Sequence, residues 1–452
     1  MCSLTQKYNV AGPRYTSYPT VPYWNEESFS SKQWQFSVRK SYDESREEGI
    51  SLYIHLPFCE SMCTFCGCHK RITRRHDLEK PYIQSVLKEW SLYLQLLGTR
   101  PLIREIHLGG GTPTFFSMEN LRLLIEGLLR RSRLAAGAAL GFEGHPNNTT
   151  REHLQGLYDL GFRKVCFGVQ DYNEQVQTAI NRHQSFEQVR DVTQLARDIG
   201  YTSVGHDIIY GLPFQTLEHV KNTIARTQEI RPDRIAFYSY AHVPWRKGNG
   251  QRGYKEANLP SPADKRQQYE QGKALLTQLG YREIGMDHFA LETDSLYKAL
   301  ETGTLHRNFM GYTPERTQLM IGLGVSSISD SGYAFAQNVK SVEEYQHLVA
   351  CDILPVYRGH ILTEEDRIIR QQILNLMCQF RTSWTAQDAT QIDFEGIVEN
   401  LSELRADDLL TMSEKGLVVT EAGKPFIRNI SMAFDLRLQR KQPETQLFSM
   451  TV

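Results

Sequence analysis

ISLYIHLPFCESMCTFCGCHK, residues 50–70, joins an apolar, β-rich run to four cysteines within ten positions, in a chain that has only eight. ISLYIHL reads as a strand. The segment after it is too short to fold by itself. Three arrangements would gather thiols so densely: a disulfide staple, a zinc site or an iron–sulfur site.

The surrounding composition separates them in part. MCSLTQKYNVAGPRYTSYPT at the start has no apolar signal-type core, and no later run is long enough to span a bilayer. The expected compartment is therefore the reducing cytoplasm, where stable disulfides are rare. Over 452 residues, 40% hydrophobic and 23% charged content with a net charge of -1 describe a globular chain. That balance gives no global pull toward nucleic acid or an anionic membrane.

Working outward, β-rich runs recur: REIHLGGG (104–111), LGFEGHP (140–146), KVCFGVQ (164–170), VGHDIIYGLP (204–213) and RIAFYSY (234–240). Between them lie helical patterns such as MENLRLLIEGLLRRS and FEQVRDVTQLARDI. Strands alternating with helices predict a parallel sheet. Six such units predict an α/β partial barrel of the TIM-like (β/α)6 kind, with ligands at the C-terminal strand ends. Gly109–Gly111, Glu143, Gln170 and Asp207 are placed at that edge. A polar connector over 247–266 precedes a helix, a strand-like run REIGMDHFA (282–290) and mixed segments. From residue 363 the chain turns mostly helical, and 404–434 reads as helix, two-stranded wing, helix. The expected division is an N-terminal extension (1–46) covering the site, a core (47–285) and a C-terminal domain (286–452).

Cys59, Cys63 and Cys66 are spaced x3 and x2, with Cys68 two positions on. Structural zinc usually takes two separated ligand pairs. His69 and His76 are the residues that would complete a zinc site. Three thiolates on one loop can instead hold three irons of a [4Fe-4S] cube and leave the fourth open for a ligand.

The spacing, with Phe65 just before the third cysteine, resembles the signature of the radical SAM superfamily. HLGGGTPT (107–114) is similar to that superfamily's glycine-rich segment; no Gly-Lys-Ser/Thr follows, which excludes a Walker-type phosphate loop. Over nearly the whole chain the sequence resembles the oxygen-independent coproporphyrinogen III oxidases (coproporphyrinogen dehydrogenases). The motifs are YNVAGPRYTSYPT (8–20), GVQDYN (168–173), NRHQ (181–184), DIIYGLP (207–213), YAHVP (240–244), GMDHFA (285–290), LHRNF-x-GYT (305–313) and GLGVSSIS (322–329). YTSYPT and Cys68 resemble the authentic oxidases rather than heme-chaperone relatives.

The resemblance implies that Cys59, Cys63 and Cys66 bind a [4Fe-4S] cluster. It implies that Tyr53, Gly110, Glu143 and Ile328 contact S-adenosylmethionine (SAM) on the open iron. Phe65, Gly111, Thr112, Gln170, Arg182, Asp207 and Ala241 match positions around a second SAM, and Cys68 a position needed in catalysis. It further implies coproporphyrinogen III as substrate, a flavodoxin- or ferredoxin-type reductant, and a monomer without nucleic acid. Arg14, Arg182 and Arg307 are candidates for holding the substrate's carboxylates. Two positions depart from the family pattern: His145, where Asp or Asn is expected, and His206, where a neutral or apolar residue is. Both are expected to be packing neighbours of the SAM contacts. A heme-binding protein and a radical SAM methyltransferase or cyclopropanase are the competing readings.

Overall fold

The structure, a computed structural model, describes residues 4–27, 29–245, 250–251 and 253–451. Six parallel strands lie side by side in chain order: β1 Ile50–Leu56, β2 Leu102–Gly110, β3 Arg133–Gly144, β4 Lys164–Gln170, β5 Ser203–Tyr210 and β6 Arg234–Ser239. Helices α1 Glu79–Leu97, α2 Met118–Arg130, α3 Arg151–Asp159, α4 Phe186–Ile199, α5 Leu217–Ile230 and α6 Pro262–Gln278 follow them in turn. The expected (β/α)6 arrangement is therefore present.

The strand–helix alternation has visible local causes. Ser117, Thr150, Ser185, Thr216 and Ser261 each accept a hydrogen bond from the backbone amide three residues on, which starts α2 to α6. In β1, Ile50, Leu52, Ile54 and Leu56 are fully buried in the large core that the sheet shares with α1 and α2. Tyr53 and His55, out of phase with them, turn to the other face.

The sheet does not stop at six strands. Met320–Leu323 pairs parallel with β1, and Ile328–Asp330, Ala334–Asn338 and Val356–Ile361 continue outward in antiparallel order. At the other edge His288–Ala290 pairs antiparallel with β6 and with Arg282–Glu283, making twelve strands among the described residues. REIGMDHFA, expected as a single strand, is thus a tight pair. It breaks at Gly285, where a Cβ would lie 2.3 Å from the Tyr312 ring.

After Thr363 the chain is mostly helical, with Glu364–Gln379 and Phe394–Ala406 the longest helices. Leu410–Ser413 and Gly416–Val419 form the expected hairpin, and Arg381–Ser383 adds a third strand to it. A second core of Ile369, Leu376, Leu401, Phe426 and Ile430 also takes in Tyr8, Tyr15 and Tyr18.

That placement sets the contacts of the N-terminal segment. Leu4–Tyr8 is helical, residues 9–20 carry no helix, and Ala11 bridges to Met450. The tyrosine rings bury themselves in the C-terminal core, while Arg14 reaches the barrel, donating Nη2 to Ser239 O at 2.6 Å. Of the polar connector over 247–266, residues 247–249 and 252 lie outside the described residues. Among the described residues no helix is long and apolar enough to cross a membrane.

Candidate active site

The cysteine loop hangs from the end of β1 and is closed at its base. Phe58–Cys59 pairs with Arg71–Ile72, with Arg71 N donating to Pro57 O and Thr73 N to Cys59 O, both at 2.8 Å. Its tip is tied to the segment after β4: Thr64 N donates to Ile180 O at 3.0 Å, and Asn181 Nδ2 to Met62 O at 2.8 Å. The glycine-rich turn after β2 clamps the near side, with Gly111 N on Leu56 O and Thr112 N on Phe58 O. Gly111 is required by this approach, because a Cβ there would lie 2.6 Å from the Pro57 backbone.

The loop forms one wall of a cavity of about 640 Å³ at the C-terminal ends of β1 to β5. Cys59, Cys63, Cys66, Cys68, Phe65, Gly110, Gly111, Thr112, Glu143, Gln170, Arg182 and Asp207 all line it. Three expected residues do not. Tyr53 lies beside Gly109, its hydroxyl 3.2 Å from His55 Nδ1. Ile328 stands against Gly322, the register partner of Tyr53. Ala241 O accepts from Gln251 Nε2 at 2.9 Å, and the same amide reaches Phe65 O at 3.3 Å.

Asp207 is not at a strand end, as the sequence suggested, but inside β5, five residues into its eight. It accepts a hydrogen bond from Cys166 Sγ at 3.3 Å, and burial, then Glu143, raise its pKa to about 6. Arg182 donates Nη2 to Gly168 O at 2.5 Å and Nε to Gln184 Oε1 at 3.2 Å, and its Nη1 lies 3.8 Å from Cys63 Sγ. Gln170 is 6% exposed, and its Oε1 is buried without a hydrogen-bond partner.

These features bear on what the cavity can hold. Among the described residues no three His, Cys, Asp or Glu side chains converge as a single ion would require. His76 is turned to Glu79 Oε1 at 2.6 Å and stacked on Phe115, and His69 does not line the cavity, so neither completes a zinc site. Three thiols spread around a roomy cavity suit a polynuclear cluster, and soft thiolates are its usual ligands. Burial pushes the Cys59 thiol up to about 11, while a hydrogen bond with Cys68 draws Cys66 down to about 6. Glu143, Arg182 and Asp207 present both signs of charge, and Gln170 Oε1 an unpaired acceptor, to a zwitterionic ligand such as SAM. The residues present therefore fit the cluster and SAM.

The two histidines part company. His145 lines the cavity, and burial, then Arg182, lower its pKa to about 3. His206 points the other way from Asp207, into the layer between β5 and α4, where it is fully buried and 2.9 Å from Thr193 Oγ1. Only His145 is a neighbour of the expected SAM contacts. The structure adds Lys70, Cys166 and Tyr238 to the lining, which the sequence reading did not single out. Cys166 and Tyr238, with Glu143 and Asp207, also line a deeper cavity of about 140 Å³ inside the barrel, so the two spaces share a wall.

A six-stranded α/β half-barrel with a three-cysteine loop at its first strand end defines a radical SAM protein, and residues 53–226 match the Radical SAM superfamily model. The chain is 39% identical over 445 residues to the oxygen-independent coproporphyrinogen III oxidase of Escherichia coli K12, covering 97% of this chain and 96% of that one. It is 36% identical to the enzyme of the same name from Synechocystis, covering 99% and 97%. The solved Escherichia coli coproporphyrinogen III oxidase (HemN), described as a radical SAM enzyme, superposes with a TM-score of 0.87 at 37% identity, covering 94% and 97%. The chain belongs to the oxygen-independent coproporphyrinogen III oxidase family.

Proposed function

We propose that this enzyme oxidatively decarboxylates two propionate side chains of coproporphyrinogen III to vinyl groups without oxygen, giving protoporphyrinogen IX. The observation that carries this reading is the meeting of Cys59, Cys63 and Cys66 with Glu143, Gln170, Arg182 and Asp207 around one cavity, in a chain of this family. The relation over nearly the whole length favours it over heme binding, methyl transfer or cyclopropanation.

Bound here, the [4Fe-4S] cluster and SAM would supply the radical, hydrogen-abstracting chemistry that an oxygen-independent oxidative decarboxylation needs. The chain's own residues hold the parts in place. Cys59, Cys63 and Cys66 act as thiolate ligands on a loop fixed by backbone and side-chain hydrogen bonds to 179–181. Glu143, with its side chain open to the cavity, can accept from an ammonium group. The Arg182 guanidinium can donate bidentately to a carboxylate. Gly110 and Gly111 bring bare backbone to the cavity beside them. Cys68, on the same wall, is proposed to act in turnover rather than in ligation.

We also propose a second SAM per chain, held by Gln170, Arg182 and Asp207. Support comes from the unpaired Gln170 Oε1 and from two opposite charges in one wall. In equilibrium dialysis under anaerobic conditions, Arg182→Ala should keep its iron yet fall from about two SAM per chain to about one, because removing one charged partner of a buried pair costs roughly 3–5 kcal/mol. One SAM in both wild type and variant removes the second site. A flavodoxin- or ferredoxin-type reductant, a monomeric state and a cytoplasmic location complete the proposal. The deciding assay combines reconstituted protein, reductant, SAM and coproporphyrinogen III, with products identified by mass. Formation of protoporphyrinogen IX is the expected result; its absence, with the cluster intact, defeats the reading.

A further inference from the structure

We infer that Arg14, Lys265 and Arg428 form a seat for one oxyanion of the carboxylate type, where the N-terminal segment, α6 and residues 425–451 meet. The three side chains line a cavity of about 40 Å³ beside the ends of β5 and β6, apart from the cysteine-lined cavity. Roughly 10–15 Å³ admits one water, so the space suits a small anion group and not a nucleotide.

The charge there is not balanced from within. Arg428 is 5% exposed, and its donors go to backbone carbonyls: Nε to Pro13 O at 3.0 Å, Nη1 to Met450 O at 2.8 Å, and Nη2 to Gly12 O and Ser449 O. Lys265 Nζ donates to Tyr240 O at 3.1 Å, and Arg14 Nη2 to Ser239 O at 2.6 Å. Neutral carbonyls fix these cations without cancelling their charge. Among the described residues Asp287 is the one acidic residue in the lining, and it is shared: its Oδ1 is 2.5 Å from His288 Nδ1, while Arg14 approaches Oδ2 only to 3.5 Å.

Arg307 stands behind, donating Nη2 to Arg14 O at 3.4 Å, with its Nε buried and unpaired. The remaining cation of the lining, Arg266, is already paired with Glu270 at 2.6 Å. Burial and mutual repulsion both work against the charged forms here. Burial, then Arg14 and Arg428, lower Lys265 to about 7, and burial, then Arg14, lower Arg428 to about 9. A bound anion would relieve that repulsion and tie residues 12–14 to the barrel.

Two sources offer the same chemistry: a side-chain carboxylate of the porphyrinogen, which rests on the proposed function, or a free small oxyanion. The test uses the full-length, anaerobically reconstituted protein as wild type, Lys265→Gln and Arg14→Gln, each checked for iron content. Coproporphyrin III binding is followed by fluorescence, and inorganic phosphate binding by the thermal midpoint at constant ionic strength. At least one ligand should bind wild type and lose about tenfold or more in affinity in both variants, as removal of a charged partner predicts. A loss for coproporphyrin III identifies the substrate carboxylate. A loss for phosphate alone identifies a free oxyanion, and the function then stands or falls on the product assay. Lys265 is half-buried and caps no element, so its variant decides the matter even where Arg14→Gln folds poorly. Affinities within twofold of wild type for both ligands in Lys265→Gln overturn the seat.

Discussion

Serine in place of Cys59, Cys63 or Cys66 will leave the anaerobically reconstituted protein with about a tenth or less of its iron, against about four irons per wild-type chain. A hydroxyl is a hard, weakly acidic ligand that does not replace a soft thiolate on iron. The loss should be specific to the metal. The loop is closed by Arg71 N on Pro57 O and Thr73 N on Cys59 O, and tethered by Asn181 to Met62 O, none of which involves a sulfur. Far-ultraviolet circular dichroism should therefore match wild type while iron, sulfide and the visible absorption of the cluster vanish. Cys68→Ser should behave in the opposite way, keeping its iron and losing turnover. Cys68 lines the same cavity, so its own variant tests the ligand assignment. Loss of iron in Cys68→Ser, with iron retained in one of the other three, would show the assignment to be wrong.

Much of the site was legible because its parts lie at motif positions next to strand ends. β1 and β4 have the boundaries that their apolar runs predict, and α4 matches the periodic segment FEQVRDVTQLARDI end to end. Glu143 and Gln170 were placed at strand ends and lie there. What escaped was set by phase and by tertiary contact. Cys166 shares a face with Gly168 and Gln170 by the two-residue period of β4, so the pleat alone would have put it in the cavity. The same alternation separates Asp207 from His206. The reading by neighbourhood in sequence placed both beside SAM, whereas β5 sends His206 outward to Thr193. The strands over 320–361 are three to six residues long, and their apolar content is too brief to stand out from loops; pairing with β1 and with one another makes them strands. The tyrosines of YNVAGPRYTSYPT could be read as packing residues, but nothing in the segment specified the C-terminal core as their partner.

Deletion of residues 1–20 should spare the cluster and yet remove most of the product. None of the described residues of this segment lines the cysteine cavity, so iron and sulfide content should stay at the wild-type level. The segment instead completes another part of the molecule. Tyr8, Tyr15 and Tyr18 are at most 7% exposed within the second core, and burying a large apolar side chain stabilises by roughly 1.5–3 kcal/mol. Tyr15 also donates to Asp435 Oδ2 at 3.0 Å, and Gly12 O and Pro13 O are acceptors for the buried Arg428. Their removal leaves a guanidinium short of partners in an apolar surround, which adds about 1–3 kcal/mol for the unsatisfied donors. The truncated protein should therefore melt well below wild type in the transition that reports the C-terminal core, with the barrel and its cluster lost later or together. Porphyrinogen product should drop by about tenfold or more at temperatures where the cluster is still intact, because Arg14 is gone, and with it the contact to Ser239 O at the end of β6 and one member of the inferred carboxylate seat. Anaerobic turnover, iron content and calorimetry on one preparation separate these effects. Wild-type turnover and an unchanged melting profile in the truncated chain would show that the segment neither supports the C-terminal core nor serves the reaction.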